Sequence, residues 1–373
     1  MSDYTSLSNE QLLKLKKQAE LDISKYHNFQ LVRKIQLNSA YGAIGNQYFR
    51  YYSTELAEAI TLSGQLSIQW IGKEINKFLN KIIGSEDYDY VIASDTDSIY
   101  LRIEKLVNKI YPDQNANKTK IIDGLDKSVE DVILPFIDKK FKELASKMNA
   151  YENKMFMGRE VIADKGIWTA KKRYMLNVWD SEGVRYSEPK LKIMGIETTR
   201  SSTPEIVRKH LKTAIQITMN GTEQDMIDFV EKCRKEFYSL PPEEIAFPRS
   251  VNGMEKYTDR GTIYKKSTPI AVKGALIYNH YLDKFKLGKK YKKIIEGDKI
   301  KFLHLKKPNP LGGIHGEDQV VSFVSILPKE FNLHGYINYK EQFEKSFIDP
   351  LTSILDTIGW STEKKNTLEN LFG

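Results

Sequence analysis

The 373-residue sequence is poor in cysteine, and its single thiol, Cys233, excludes an internal disulfide framework. Helical spacing with Met226, Phe229, Val230 and Phe237 predicts that Cys233 lies in the core of a helical region. No apolar run approaches the roughly 20 residues that a membrane-spanning helix requires, and no signal peptide opens the sequence. Its six histidines are scattered without the spacing of a zinc site. We therefore expect a cytoplasmic protein with no membrane contact.

The composition is that of a globular protein with an excess of positive charge. Hydrophobic residues make up 40% and aromatic residues 11% of the chain, which argues against extensive disorder. The length allows two or three domains with cores of their own. The formal net charge of +8 is compatible with nucleic-acid binding, although some basic proteins are merely soluble.

The segment VIASDTDSIYL, residues 91–101, has the pattern of a strand, a tight acidic turn and a strand returning antiparallel. Asp95 and Asp97 are two residues apart, so in extended geometry both carboxylates project to the same side. Crowded carboxylates repel each other unless a cation lies between them, and hard ions such as Mg2+ prefer oxygen ligands. The alternative is an ordinary aspartate-rich turn, because D-x-D is a short pattern.

Two helices are predicted before this hairpin. The first runs from Ser8 to about Leu37, with a capping box formed by Ser8 and Gln11, and it either continues or breaks near residues 26–28. The second covers Thr54 to about Ile83 and leads into the acidic hairpin, so we expect it to support the sheet from behind.

The segment RKIQLNSAYGAIGN, residues 33–46, lies at the end of the first helical region. On a helix Lys34, Asn38 and Tyr41 fall within one narrow face. A cation, an amide and an aromatic ring in one line suit a nucleotide that carries a triphosphate. The alternative is a surface helix that ends in a glycine cap.

Strands are predicted near residues 155–162 and 167–179, and the second of these includes the run Lys171, Lys172, Arg173 and Tyr174. Three cations followed by an aromatic residue are ordinarily a solvated strand edge. Next to an acidic metal hairpin, they are also able to hold a nucleic-acid backbone.

The remaining chain is predicted to be helical at both ends of a mixed region. A helix begins at Thr203, and Thr222–Tyr238 forms its partner. The cationic run KFKLGKKYKK, residues 284–293, is either a solvated loop or a segment that binds the backbone of a nucleic-acid duplex. The terminal LENLFG, residues 368–373, is either a frayed end or a short peptide that docks in a groove of a partner.

In this order, the segments resemble the family B replicative DNA polymerases, most closely those of tailed bacteriophages. KIQLNSAYG is similar to the K-x-x-x-N-S-x-Y-G motif of the fingers, and ASDTDS resembles the palm motif Y-x-D-T-D-S, with Ala93 where the tyrosine often stands. KKRY with the following NVWD is similar to the primer-strand motif, MGIETTRSSTP resembles the start of the thumb, and LENLFG is similar to a tail that binds the sliding clamp. The resemblance covers residues 10–373.

The resemblance implies a catalytic role for Asp97, Asp95 and Lys34. Asp97 would be a direct ligand of a two-metal Mg2+ site, and Asp95 would support that site electrostatically. Lys34 would neutralise the triphosphate of the incoming dNTP, Asn38 would orient it, and Tyr41 would pack near the nascent base pair.

The resemblance also implies partners. Primer–template DNA would be held by residues of the primer-strand motif and the start of the thumb: Lys171, Lys172, Arg173, Tyr174, Arg200 and Ser201. The sliding clamp would be bound by Leu368, Leu371 and Phe372. Glu160 would be an auxiliary acid near the palm, although phage relatives read M-D-R-E where this chain has Met157-Gly158-Arg159-Glu160, so one nearby acid is lost.

The fold that the resemblance implies is α+β, with an antiparallel palm sheet flanked by helices, a fingers helix and a mostly helical thumb. Residues 1–50 would form the second half of the fingers hairpin, residues 51–198 the palm, and residues 199–373 the thumb with its clamp-binding tail.

One family motif is missing. Motif A, D-x-x-S-L-Y-P-S, supplies an aspartate that shares both metals, and neither it nor the editing exonuclease acids occur in the sequence. We therefore expect the C-terminal subunit of a split polymerase for phage DNA replication in the host cytoplasm, completed by an N-terminal chain that carries the exonuclease and motif A. The alternatives are a fragment of a longer protein and a catalytically silent subunit that binds DNA and tethers the clamp. A metal-dependent glycosyltransferase with its own D-x-D is weaker, because it gives KKRY no role.

Overall fold

The computed structural model describes residues 7–112, 117–259, 261–311 and 319–363. The chain divides into two compact units, Met1–Arg159 and Glu160–Gly373. Helices alternate with antiparallel sheets in the described ranges, so the predicted α+β class is confirmed. No helix in these ranges is long and apolar enough to cross a membrane. The assignment of fingers, palm and thumb stays a prediction.

The first unit begins with two long helices, α1 (Asn9–Ile44) and α2 (Thr54–Ile83). The predicted capping box of α1 is present, because Ser8 and Gln11 exchange side-chain-to-backbone hydrogen bonds. Helix α1 runs without a break through residues 26–28. The predicted bounds of α2 are confirmed at both ends, where Ser53 caps the N-terminus and Gly84 closes the C-terminus with φ +77°.

A hairpin and three shorter helices complete the first unit. The hairpin consists of β1 (Val91–Asp95) and β2 (Ser98–Leu101). The helices are α3 (Glu104–Ile110), α4 (Lys118–Ser128) and α5 (Leu134–Lys147), and a π-helical turn at Val129–Ile133 joins the last two. The core of this unit is formed where α2 and α5 meet the start of the hairpin, by Ile71, Ile75, Leu79, Tyr90, Ile133, Ile137 and Phe141.

The second unit opens with a three-stranded antiparallel sheet, β3 (Val161–Ala170), β4 (Arg173–Ser181) and β5 (Val184–Met194), in which β4 is central. The prediction of one strand over residues 167–179 is wrong, because the chain turns at Lys171 and Lys172. The other predicted strand begins only at Val161. Polar and apolar residues alternate in both strands of a tight hairpin, so the sequence pattern did not reveal the turn between them.

A helical pair follows, α6 (Glu205–Asn220) and α7 (Glu223–Ser239). The predicted start of α7 is confirmed by a capping box between Thr222 and Asp225. The capping residue of α6 is Pro204 and not Thr203, and no side chain caps this helix. Cys233 is 1% exposed, as predicted, and burial raises the pKa of its thiol to about 12.

Short helices and strands make up the rest of the second unit. Its short elements are α8 (Pro242–Ile245), β6 (Phe247–Ser250), α9 (Met254–Tyr257), β7 (Thr258–Asp259) and β8 (Ile263–Tyr264). Then follow α10 (Ile270–Lys284), β9 (Lys299–His304), β10 (Val320–Phe323), α11 (Tyr339–Phe343), a π-helical segment at Glu344–Ile348 and α12 (Asp349–Leu355). Strand β9 lies between β10 and β6. Gly274 lets α10 approach β10, because a Cβ there would lie 2.8 Å from the backbone nitrogen of Ser322.

Candidate active site

The acidic pair lies at the tip of the predicted hairpin. Strands β1 and β2 pair antiparallel, with Asp95 opposite Ser98, and a bulge interrupts the register between Val91 and Ala93. The side-chain oxygen of Asn76 on α2 accepts hydrogen bonds from the backbone nitrogens of Tyr90 (2.9 Å) and Val91 (3.1 Å). Helix α2 therefore supports the hairpin at its base, as the sequence predicts.

The two aspartates occupy a turn and not a continuous extended segment. Asp95 ends β1, and Thr96 has a φ of +56°. The backbone nitrogen of Asp97 donates to the carbonyl oxygen of Asp95 at 2.6 Å, and the Thr96 hydroxyl donates to the Asp95 carboxylate at 2.9 Å. A β-branched residue with positive φ is strained, and such strain is often found at functional sites.

The two carboxylates differ in their surroundings. Asp95 is half-buried, whereas Asp97 is exposed and its carboxylate has no hydrogen-bond or ion-pair partner in the described part of the chain. An exposed carboxylate beside a second one fits Mg2+, which is commonly bound through one or two carboxylates, several waters and substrate phosphates. No group of three or more possible metal-ligating side chains occurs among residues 7–112, 117–259, 261–311 and 319–363. These residues therefore offer the acid pair and no third acid close to it.

The predicted nucleotide-facing residues share one face of α1. Lys34, Asn38 and Tyr41 lie at i, i+4 and i+7 on the helix, and all three are exposed. The Lys34 ammonium has no ion-pair partner within the described ranges, so its charge is available to an anion. Gly42, one turn from Asn38, has no heavy atom within 4 Å of an added Cβ, so the space beside this face is open.

Helix α1 exposes an unusual amount of apolar surface. None of its 36 residues is buried. The exposed large apolar side chains between Asn9 and Ile44 are Leu13, Leu15, Leu21, Ile23, Tyr26, Phe29, Leu31, Val32, Ile35, Leu37 and Tyr41. Their spacing places these side chains on all sides of the helix, and this amount of exposed apolar surface marks an interaction site.

The KKRY motif forms the turn between β3 and β4 in the second unit. Lys171 and Lys172 are exposed at its tip, and Lys172 has a φ of +63°. Tyr174 is 7% exposed, and its ring stacks on Trp168 with 6.0 Å between ring centroids. Of this motif, the two lysines are therefore the side chains that reach solvent most freely, while Tyr174 packs beneath the turn.

Arg173, Arg200 and Ser201 come close to one another near the end of the β5 strand. Glu197 pairs with Arg173 at 2.8 Å and with Arg200 at 3.6 Å. Arg200 also donates to the carbonyl of Gly195 at 3.1 Å, and Ser201 is exposed next to it. The structure thus joins the primer-strand motif to the segment that resembles the start of the thumb.

Glu160 is the remaining candidate residue that the structure describes. Glu160 precedes β3 and forms a 2.6 Å ion pair with Lys192 on β5. Arg159, its neighbour in sequence, pairs with Asp126 at 2.6 Å in the first unit. The clamp-binding residues Leu368, Leu371 and Phe372 lie outside the described residues.

Sequence reasoning missed Asn76, Arg249 and Ser346. Asn76 positions the hairpin from α2, and an asparagine inside a helical pattern carries no signal for this. Arg249 and Ser346 lie beside Arg200 in space but about 50 and 150 residues away in the chain. Burial of Arg249 and the charge of Arg200 lower the pKa of the Arg249 guanidinium below its ordinary value.

Comparison with known proteins gives consistent matches. The model of a family described as DNA polymerase family B matches residues 9–123. The DNA-directed DNA polymerase of Enterobacteria phage T4 is 36% identical over 386 residues, which cover 100% of this chain and 41% of the relative. The DNA-directed DNA polymerase of Escherichia phage RB69 is 38% identical over 356 residues, which cover 92% of this chain and 38% of the relative. The resemblance drawn from the motifs is thereby confirmed.

Similarity extends more weakly to cellular proteins. The DNA polymerase alpha catalytic subunit of Trypanosoma brucei brucei is 26% identical over 216 residues, which cover 55% of this chain and 13% of the relative. The chain spans about two fifths of the length of the two phage relatives. The family model includes both α1 and the acidic hairpin.

Proposed function

Because the chain is a relative of the family B DNA polymerases of phage type, we propose that it forms part of a DNA-directed DNA polymerase. The reaction is the addition of a deoxynucleotide from a dNTP to the 3′-hydroxyl of a primer on a template strand. The observation that carries this proposal is the turn of the acidic hairpin, within the residues that the family model matches. There the exposed carboxylate of Asp97, which has no partner among the residues that the structure describes, stands next to Asp95.

Asp97 and Asp95 would hold Mg2+ in this proposal. Bound Mg2+ would lower the pKa of the primer hydroxyl and offset negative charge on the phosphates. Asp97 would bind the ion directly through its exposed carboxylate. The carboxylate of Asp95 accepts a hydrogen bond from the Thr96 hydroxyl. It would thereby stabilise the turn and add negative charge beside Asp97.

The face of α1 defined by Lys34, Asn38 and Tyr41 would bind the incoming dNTP. Lys34 has no competing carboxylate in the described ranges, so it is able to offset the charge of the departing pyrophosphate. Asn38 would orient the triphosphate by hydrogen bonding, and Tyr41 would pack near the nascent base pair. The open space at Gly42 allows a nucleotide to approach this face.

The second unit would hold the primer–template duplex. Lys171 and Lys172 reach solvent at the tip of a tight turn, and Arg200 and Ser201 are exposed on a neighbouring segment. Contacts of this kind go to phosphates, so binding would be independent of sequence and would weaken steeply with salt. Glu160 would act as an auxiliary acid, and Leu368, Leu371 and Phe372 would bind a sliding clamp.

A separate N-terminal chain would complete the enzyme. A two-metal site needs more carboxylate than Asp95 and Asp97 provide, and motif A is absent from the sequence. The many exposed apolar side chains of α1, which lie on all sides of the helix, support a large protein contact on the element that carries the nucleotide-facing residues. The partner would carry motif A, the exonuclease and the first fingers helix, and the assembled enzyme would replicate phage DNA in the host cytoplasm.

Primer extension tests this proposal. The purified chain, a motif-A-bearing chain from the same source, and their mixture are each incubated with labelled primer–template DNA, dNTPs and Mg2+. We expect extension only in the mixture, and Asp97→Asn should reduce it by about a hundredfold or more, because one charged metal ligand is lost. Asp87→Asn removes an exposed aspartate outside the turn and is the matched control.

Two outcomes would contradict parts of the proposal. Extension by this chain alone would remove the need for a partner. A mixture that binds DNA but extends no primer would favour the alternative of a silent subunit that binds DNA and tethers a clamp.

A further inference from the structure

The exposed apolar side chains of α1 surround the helix, but they are not spread evenly. At about 100° of rotation per residue, one group of them falls within an arc of about 80°. This group, the first apolar side, consists of Leu15, Ile23, Tyr26 and Leu37. A second group falls within an arc of about 100° on the opposite side of the helix. This group, the second apolar side, consists of Leu13, Leu21, Leu31, Val32 and Ile35.

A polar edge separates the two apolar sides. It is formed by residues that helical spacing places within an arc of about 40°, and all of them are exposed: Lys16, Glu20, His27, Lys34 and Asn38. The edge therefore includes Lys34 and Asn38, two residues of the face that would bind the incoming dNTP. A contact that covered both apolar sides would leave this edge open to a nucleotide.

Neither apolar side of α1 is covered within the described ranges. None of the residues of α1 is buried, and the exposed fraction is 70% for Ile23 on the first side and 57% for Leu21 on the second. Helix α2 approaches α1 beside the turn that joins them, where a Cβ added to Gly45 would lie 3.8 Å from the Cβ of Ala57. A helix that packs on one neighbour has a single apolar stripe, whereas a helix that is apolar on several sides is buried among several neighbours.

We infer that α1 lies between two separate apolar elements of the N-terminal partner chain, one on each apolar side, with the polar edge open between them. The inference rests on the proposed function for the identity of the partner. One partner helix laid along α1 would cover one apolar side and leave the other in water. Two elements would bury both sides without covering Lys34 and Asn38.

The chemistry of the two sides indicates a protein as the occupant. Permanent protein–protein interfaces are large and rich in apolar residues, whereas surfaces that bind nucleic acid are polar and positively charged. The phage relatives also have the necessary length, because the matched parts make up only 41% and 38% of the two polymerases. Each relative therefore contains ample further sequence for two such elements.

Leu21 and Ile23 provide a matched pair for the test. They are two residues apart, so they lie at nearly the same height on α1 and on opposite sides of it. The full chain with Leu21→Gln, with Ile23→Gln or with both is mixed with the motif-A-bearing chain from the same source, and sedimentation measures the affinity. We expect each single change to weaken the complex about tenfold, because one buried apolar side chain is lost. The double change should weaken it about a hundredfold, because the two contacts are independent.

Glu20→Gln is the control for these variants. Glu20 is exposed on the polar edge and adjoins Leu21 in sequence, so this change should leave the affinity as it is. Thermal melting followed by circular dichroism shows whether each variant remains folded. If a folded Leu21→Gln chain binds the partner as well as Glu20→Gln does, the second side is not covered and the inference is overturned.

Photo-cross-linking identifies what lies on each side. Leu21 and Ile23 are replaced in turn by benzoylphenylalanine, the mixture is irradiated, and mass spectrometry identifies the cross-linked peptides. We expect two different segments of the partner chain. Cross-links from both positions to the same segment would overturn the inference. Cross-links to a second copy of this chain, or the absence of any complex, would also overturn it.

These measurements contain neither DNA nor dNTP, so their failure is distinguishable from failure of the proposed function. A complex that shows the expected affinities and cross-links but extends no primer would contradict the proposed function alone. A mixture that extends a primer while Leu21→Gln binds normally would contradict the two-sided contact alone.

Discussion

Asn76 holds the first strand of the acidic hairpin by accepting a hydrogen bond from the backbone nitrogen of Tyr90 at 2.9 Å. The same oxygen accepts from Val91 at 3.1 Å, and the amide nitrogen of Asn76 donates to Asp89 at 2.7 Å. A single side chain on α2 therefore satisfies the backbone where β1 begins. The position of Asp95, four residues further on, depends on this contact.

Replacing Asn76 by alanine should destabilise the chain. The backbone nitrogen of the buried Tyr90 would lose its acceptor, whereas that of Val91 also donates to the Asp89 carboxylate at 3.2 Å, so we expect the free energy of unfolding to fall by about 1–3 kcal/mol. Urea unfolding followed by circular dichroism measures this change. Asn28→Ala, on the exposed surface of α1, should change it by less than about 0.5 kcal/mol. Equal effects of the two variants would show that Asn76 does not hold the hairpin.

Thr96 should be strained by its φ of +56°. Thr96→Gly and Thr96→Ala both remove the hydroxyl that donates to Asp95, but only glycine relieves the strain. We therefore expect the glycine variant to be more stable than the alanine variant by about 1 kcal/mol. Urea unfolding of the pair gives the difference directly. An alanine variant as stable as the glycine variant would mean that the turn carries no strain.

The exposed apolar side chains of α1 should matter for association and not for the stability of the chain alone. Ile23 is 70% exposed, so Ile23→Gln should change the free energy of unfolding by less than about 0.5 kcal/mol. If the partner chain covers Ile23, the same change should weaken the complex about tenfold or more, because a buried isoleucine contributes about 1.5–3 kcal/mol. Sedimentation of the mixture measures the affinity.

Lys16→Gln is the control for that experiment, because Lys16 is exposed on the same helix and makes no ion pair in the described part of the chain. Unchanged affinity for Ile23→Gln, together with unchanged affinities for the same change at other exposed apolar residues of α1, would place the partner elsewhere.

Glu330 should contribute a pH-dependent stability in acid. Hydrogen bonds from Lys290, from its own backbone and from Tyr291 lower the pKa of Glu330 from 4.5 to about 2. Because the folded-state pKa is lowered, the contribution is complete above about pH 4.5 and is lost as the pH falls through about 2.

Glu330→Gln should therefore flatten the acid side of the stability curve between about pH 4.5 and pH 2. Urea midpoints measured across this window show the effect. Glu255→Gln, which removes an exposed glutamate without an ion pair in the described ranges, should leave the curve as it is. Parallel curves for Glu330→Gln and the unmodified chain would rule out this contribution.

Local patterns were sufficient for much of the fold. The capping box at Ser8, the bounds of α2 and the acidic hairpin depend on residues close together in the chain, and all three are confirmed. The alignment of Lys34 with Asn38 follows from helical spacing alone. These features are predictable because helices and hairpins are set by neighbours within a few residues.

Features that depend on distant residues were not predictable. The turn at Lys171 was missed because alternation does not change across a tight hairpin. The burial of Tyr174 follows from its packing on Trp168, six residues earlier, across that hairpin. The meeting of Arg249 with Ser346 is set by the packing of β6 against the C-terminal helices, and no short pattern encodes it.

Helix α1 has no internal hinge. Between Asn9 and Tyr41 the sequence contains neither proline nor glycine, the residues at which helices most often kink, and the 36 residues form a rod of about 54 Å. A rotation of about 10° at the end near Ile44 would displace the other end by about 9 Å. Any tilt that brings Lys34 toward or away from a nucleotide would therefore move Ser8 several times as far. A spectroscopic label near Ser8 would detect even a small tilt of the helix.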